Sequence, residues 1–151
     1  MAFPLPQPMR LALEQAKEAE LAGEVPVGAV VVRDGEILAS GRNAMRTAAD
    51  PTAHAEIVAL RAAGARIGSS RLDECDLWVT LEPCAMCAAA IALARIRRLY
   101  FAASDPKGGA VLHGPRLFGQ PTCHHAPEVY AGIGEAEAAA LLRDFFAQRR
   151  S

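Results

Sequence analysis

A three-layer α/β/α domain built around a central five-stranded mixed sheet is the fold class this sequence predicts. Apolar stretches of strand length alternate with helical stretches of about 10–15 residues, the rhythm of a sheet with helices on both faces. One pair of strands is separated only by Asp34-Gly35, the strongest short-range hairpin signal, which makes part of the sheet antiparallel. The chain has 151 residues, of which 52% are hydrophobic. That suits one domain over residues 1–151, burying roughly 70% of its unfolded surface.

The elements follow in order. "PQPMRLALEQAKEAELAG" has helical periodicity, with Met9, Leu11, Leu13, Ala16 and Leu21 leaning to one face and Gly23 as a stop. "VPVGAVVVRDGEILASGRN" reads as strand, turn and strand, and "AMRTAADP" as a loop. From Thr52 the pattern turns helical through "AHAEIVALRAA" and ends near Gly64. "DLWVTLEP" is a buried strand stopped by Pro83, "CAMCAAAIALARI" an Ala-rich helix, and "RRLYFAAS" a fourth strand. A Gly- and Pro-rich loop runs from Asp105 to about Pro127. "EVYAGI" is a short fifth strand, and "EAEAAALLRDFFAQRR" a closing amphipathic helix.

Aromatic residues are only 5% of the chain, so Ala, Val, Leu and Ile must fill the core. The formal net charge of −1 gives no global basic field of the kind that announces nucleic acid. Basic side chains are nonetheless grouped (Arg95, Arg97 and Arg98; Lys107 and Arg116; Arg143, Arg149 and Arg150), and a modest local patch is expected from them. The opening "MAFPLPQPMR" does not read as a signal peptide, and no stretch approaches the ~18 apolar residues of a spanning helix. The expectation is a cytoplasmic protein with no membrane role, where stable disulfides are rare. The four cysteines, Cys75, Cys84, Cys87 and Cys123, then favour metal binding or packing over crosslinks.

"TLEPCAMC" concentrates the chemistry. Cys84 and Cys87 stand three apart at a helix start, with Cβ atoms about 5–6 Å apart on one face. The helix N-terminus favours thiolate, the form that ligates metal. His54 in "TAHAE" opens the preceding helix and offers a third ligand. Glu56 is only two residues on, so if both address one ion His54 must sit where the backbone is not yet helical. One His and two Cys leave a fourth position for water, the layout of a catalytic zinc. Glu56 is then placed to take the water's proton and return it to a leaving amine. A Cys-x-x-Cys pair alone would as readily be redox or structural. The ordered set His-x-Glu and Pro-Cys-x-x-Cys is the signature of zinc nucleobase deaminases.

More of the chain carries a resemblance. "EVPVGAVVV", "DPTAHAEIVALR", "LWVTLEPCAMCAAAI", "RIRRLYFAASDPKGGA" and "LLRDFFAQRR" are similar to the bacterial tRNA-specific adenosine deaminases of the cytidine deaminase superfamily. The resemblance implies a cytidine deaminase-like fold, a homodimer, one Zn2+ per subunit held by His54, Cys84 and Cys87, and Glu56 as proton shuttle. It implies conversion of adenosine to inosine at the wobble position of a tRNA anticodon stem-loop. Asn43, which carries both a donor and an acceptor, is expected to hydrogen-bond the flipped base. Val27, Ala29 and Ala55 would line the pocket, and Asp105 and Lys107 would contact the loop nucleotides. "GGAVLHGPRLFGQPTCHHAPEVY" departs from the commonest family form. Arg116, His124 and His125 could bind phosphate there, or "CHH" could mark a second metal site. Two other readings share the motif: a deaminase of a free base or nucleoside of guanine or cytosine type, and a non-catalytic zinc module. The last would need a fourth ligand from Cys75, Cys123 or His124.

Overall fold

The computed structural model describes residues 4–150; residues 1–3 and 151, and the Arg150 side chain, lie outside that description. The order is α1 (Gln7–Leu21), β1 (Gly28–Arg33), β2 (Glu36–Arg42), α2 (Ala55–Ile67), β3 (Cys75–Leu81), α3 (Ala85–Leu93), β4 (Arg98–Ala103), β5 (Glu128–Ala131) and α4 (Glu135–Arg150). A 3-10 turn, Leu117–Gly119, sits in the long loop before β5. The sheet order is β2-β1-β3-β4-β5. The β1–β2 and β1–β3 pairs are antiparallel, and β3–β4 and β4–β5 are parallel, which is the mixed five-stranded sheet expected.

The hairpin turns where its sequence demands. Asp34 and Gly35 both have positive φ, 51° and 75°, as a type I′ turn requires. One apolar cluster joins α2 and α3 to one face of the sheet through Ala59, Leu60, Ala63, Ala88 and Ile91. A second joins α1 and α4 to the opposite face through Met9, Ala12, Leu13 and Ala138. Three layers result.

Two glycines set how closely helices lie on the sheet. A Cβ on Gly28 would stand 2.0 Å from the Ala12 carbonyl oxygen, so α1 rests on β1 backbone to backbone. A Cβ on Gly41 would meet the Ala55 oxygen and the Ala59 nitrogen, both at 2.7 Å. That close approach brings the first turn of α2 beside the end of β2. Ala12 and Ala16 stand at the first contact and Ala55 and Ala59 at the second.

The differences from expectation include a helix face and a helix end. Leu21 is 88% exposed, because it lies twelve residues from Met9 and so about 120° round the helix at 100° per residue; Ala19 takes the buried place. The second helix runs past Gly64 to Ile67 and ends on Gly68 in the left-handed region, φ 71°, where a residue without Cβ costs least. Among the described residues no helix is long and apolar enough to cross a membrane.

Candidate active site

Both halves of the metal motif stand at helix starts beyond strand ends. His54 is the N-cap of α2, with φ −72° and ψ 152°, the non-helical entry position its spacing from Glu56 demanded. Cys84 is the N-cap of α3, also extended, and Pro83 separates it from the strand that delivers it. His54 Nδ1 lies 3.6 Å from Cys84 Sγ and 3.5 Å from Cys87 Sγ. Zinc bond lengths of about 2.0 Å to nitrogen and 2.3 Å to sulfur at a tetrahedral angle put N and S about 3.5 Å apart. The triangle therefore fits one such ion. It is also the one group of three or more potential ligands among the described residues.

Without a metal ion the two thiols share one proton, and only Cys84 is favoured as thiolate. The Cys87 thiol hydrogen-bonds Cys84 and, despite part burial, holds the Cys84 thiol down to about 5, helped by the Cys87 and Met86 amides at the helix start. The same shared proton, with burial, pushes Cys87 far up. Glu56 is buried in the first turn of α2. Burial is the main cause that raises its carboxyl to about 7, opposed by its own amide and reinforced by the Cys84 charge. A carboxyl near neutrality is suited to taking up and releasing a proton at working pH.

Asn43 lies just past β2 and is 6% exposed. Its Oδ1 accepts from the Ala55 amide at 2.8 Å, so the acceptor is already engaged by α2. No buried side-chain nitrogen or oxygen among the described residues lacks a partner, and Nδ2 has no protein acceptor. The amide nitrogen must therefore reach accessible space. The structure thus commits one lone pair of Oδ1 to α2 and leaves the amide nitrogen as the free donor. Val27 is 4% exposed, and Ala29 and Ala55 are fully buried; all three belong to the cluster under α2 and α3.

Asp105 and Lys107 stand in the loop after β4. Asp105 turns Oδ1 onto its own loop, accepting from the Lys107 amide at 3.2 Å and the Gly108 amide at 2.9 Å. Lys107 is exposed. The rest of the anticipated patch divides. Arg97 pairs with Asp76 at 3.1 Å and Arg98 with Glu128 at 2.8 Å, at the start of β4. The ligands lie beyond the far end of that sheet, about 20 Å along a six-residue strand. In the "CHH" segment the Cys123 thiol donates to the His125 carbonyl oxygen and His125 Nε2 to that of Ile96. Neither these residues nor Cys75 join the metal triangle.

Two buried carboxylates escaped sequence reasoning. Glu24 accepts from the Arg46 and Thr47 amides at 3.2 and 2.7 Å, pinning the loop between Asn43 and His54. Glu82 accepts from four amides and the His113 ring, pinning the loop that carries Asp105 and Lys107. The one signal in the sequence was an acidic residue at the mouth of an otherwise apolar strand.

Fold and site together define a deaminase of the cytidine deaminase superfamily, and the model of the MafB19-like deaminases matches residues 6–150. A tRNA-specific adenosine deaminase of Agrobacterium fabrum is 57% identical over 142 residues, 94% of this chain and 93% of that protein. A solved structure from work on A-to-I editing by tRNA deaminases at the wobble position of transfer RNA has TM-score 0.89 at 57% identity, covering 89% of this chain and 98% of its own. A guanine deaminase from Bacillus subtilis is more distant: 34% identity and TM-score 0.64, over 95% of this chain and 92% of its own. The chain belongs to the family of bacterial tRNA-specific adenosine deaminases.

Proposed function

We propose that residues 1–151 act as one zinc-dependent hydrolase domain that converts adenosine to inosine at the wobble position of a tRNA anticodon, with ammonia as the second product. The observation that carries this is the His54–Cys84–Cys87 triangle beside buried Glu56, in a chain 57% identical over nearly its whole length to a tRNA-specific adenosine deaminase. Zn2+, one ion per chain on His54, Cys84 and Cys87, would supply Lewis acidity towards a water molecule at neutral pH.

The chain's own groups do the rest. Glu56 takes a proton from the water that adds to C6 of the base and delivers a proton to the departing amine. Asn43 Nδ2 donates to an acceptor on the unstacked base, while Oδ1 stays locked on Ala55. Val27, which keeps a little exposed surface, stands at the wall of the pocket, and the fully buried Ala29 and Ala55 back it from the core. Asp105 and Lys107 meet the flanking nucleotides. A single-stranded anticodon loop yields its base at low cost.

The enzyme works in the cytoplasm as a homodimer. Support for pairing comes from the outer face of α3, where Leu93 is 78% exposed. A groove of about 350 Å³ runs there between Ala89, Ala92 and the 117–125 loop.

Incubation with an unmodified anticodon stem-loop and with free guanine, cytosine and adenosine in parallel, reading inosine and ammonia, tests the reading. Inosine should appear only in the stem-loop. Rapid deamination of a free base with an untouched stem-loop would install the guanine- or cytosine-type alternative instead.

A further inference from the structure

Glu82 carries a full negative charge into a place with no solvent: its side chain has no exposed surface. The strand residue before it and Pro83 after it offer no counter-charge. What it meets is a loop. Oε1 accepts from the Asp105 amide at 3.0 Å and from the His113 ring at 2.8 Å. Oε2 accepts from the amides of Val111, Leu112 and His113 at 3.1, 2.9 and 3.2 Å. Oε1 bridges the entry of the loop and the His113 ring at its exit, and Oε2 holds the exit amides, so a single carboxylate closes residues 105–113 on themselves. Charged acceptors make hydrogen bonds roughly twice as strong as neutral ones, which offsets the burial of the charge.

The loop is shaped to this contact. A Cβ on Gly109 would lie 2.5 Å from the Glu82 Cδ and 2.5 Å from the Asp105 carbonyl oxygen, so only glycine lets the chain close over the carboxylate. The Ala110 amide donates to Pro83 O at 2.9 Å. Two residues beyond Glu82 is Cys84. The loop is thereby registered to the metal triangle through two residues of backbone.

We propose that Glu82 is a positioning residue for substrate RNA. Its carboxylate holds the 105–113 loop in the form that presents Asp105 and Lys107 to the nucleotides flanking the target base, and His113 locks the clamp. This rests on the RNA substrate proposed above. Glu82 touches neither base nor metal, so its loss should weaken RNA capture and leave the chemical step nearly intact.

Glu82→Gln is the direct test, because its amide NH2 meets N–H donors whichever way it is turned. The chain contains lysine only at positions 17 and 107, so a lysine-specific protease reads the loop at Lys107. Cleavage there should quicken by at least ~10-fold in Glu82→Gln, and KM for the anticodon stem-loop should rise ~10-fold with kcat within ~3-fold and zinc content unchanged. His113→Ala removes one donor of the five and should move both readings the same way by less. It decides the matter if Glu82→Gln does not fold. Unchanged cleavage and KM in the folded variants, or a fall in kcat at constant KM, would overturn the proposal. A wild type inactive on the stem-loop would instead refute the RNA reading and leave protease cleavage to decide the clamp.

Discussion

Asn43 Oδ1 and the Ala55 amide, 2.8 Å apart, join the end of β2 to the first turn of α2 one residue after His54. The contact has two consequences that separate under mutation. It satisfies one of the helix's orphan N–H groups, and it turns Nδ2 outward as a donor.

Asn43→Asp keeps the acceptor and discards the donor, and a carboxylate at a helix N-terminus is favourable. The expected outcome is a thermal midpoint no lower than wild type, with kcat/KM on the stem-loop down at least ~10-fold. Asn43→Ala loses both, and should destabilise by about 1–3 kcal/mol as the buried Ala55 amide loses its partner. If Asn43→Asp retains full activity, the amide is a helix cap and nothing more.

Glu56 and Cys87 allow chemistry and structure to be told apart. Glu56→Ala removes the proton carrier and leaves the ligand triangle, so zinc content should hold near one per chain while turnover drops at least ~100-fold. Cys87→Ala removes a buried ligand, and should cost both metal and folding stability because binding energy is folding energy. Metal analysis and denaturant midpoints on the two variants check this. Normal zinc in Cys87→Ala would dismantle the triangle, and near-normal turnover in Glu56→Ala would send the proton elsewhere.

The metal triangle was legible because each ligand sits at the start of a helix, and helix starts are written locally in "TAHAE" and "EPCAMC". The Asp34-Gly35 hairpin was legible for the same reason. The basic patch was not. Arg97 and Arg98 lie near Lys107 in sequence, but β4 carries the chain from one end of the sheet to the other between them. Glu24 and Glu82 were invisible as clamps because their partners are amides 22 to 31 residues away, and amides have no side-chain identity to read. Leu21 shows what a loose reading of periodicity misses: twelve residues from Met9 are three and a third turns, which sets it off the buried face.

Glu24 makes a prediction with a sign in pH. Burial works to raise its carboxyl, but the hydrogen bonds from Thr47 and Arg46 outweigh it and hold the group below its ordinary 4.5. A carboxyl depressed by folding contributes stability that is fully present above the unfolded value and lost as pH falls through the folded one. Glu24→Gln should therefore be less stable than wild type by about 2 kcal/mol at pH 7, two charge-assisted hydrogen bonds being weakened. That gap should stay level down to roughly pH 5 and close as acid protonates the wild-type carboxylate. Denaturant midpoints of both proteins at a series of pH values measure it, and taking the difference cancels every other group that titrates in both, the metal ligands included. A gap as wide at pH 3 as at pH 7 would show that the Glu24 charge does not hold the 44–49 loop. A gap that closes as described ties that loop, and through Ala44 and Ala53 the approach to His54, to one buried carboxylate.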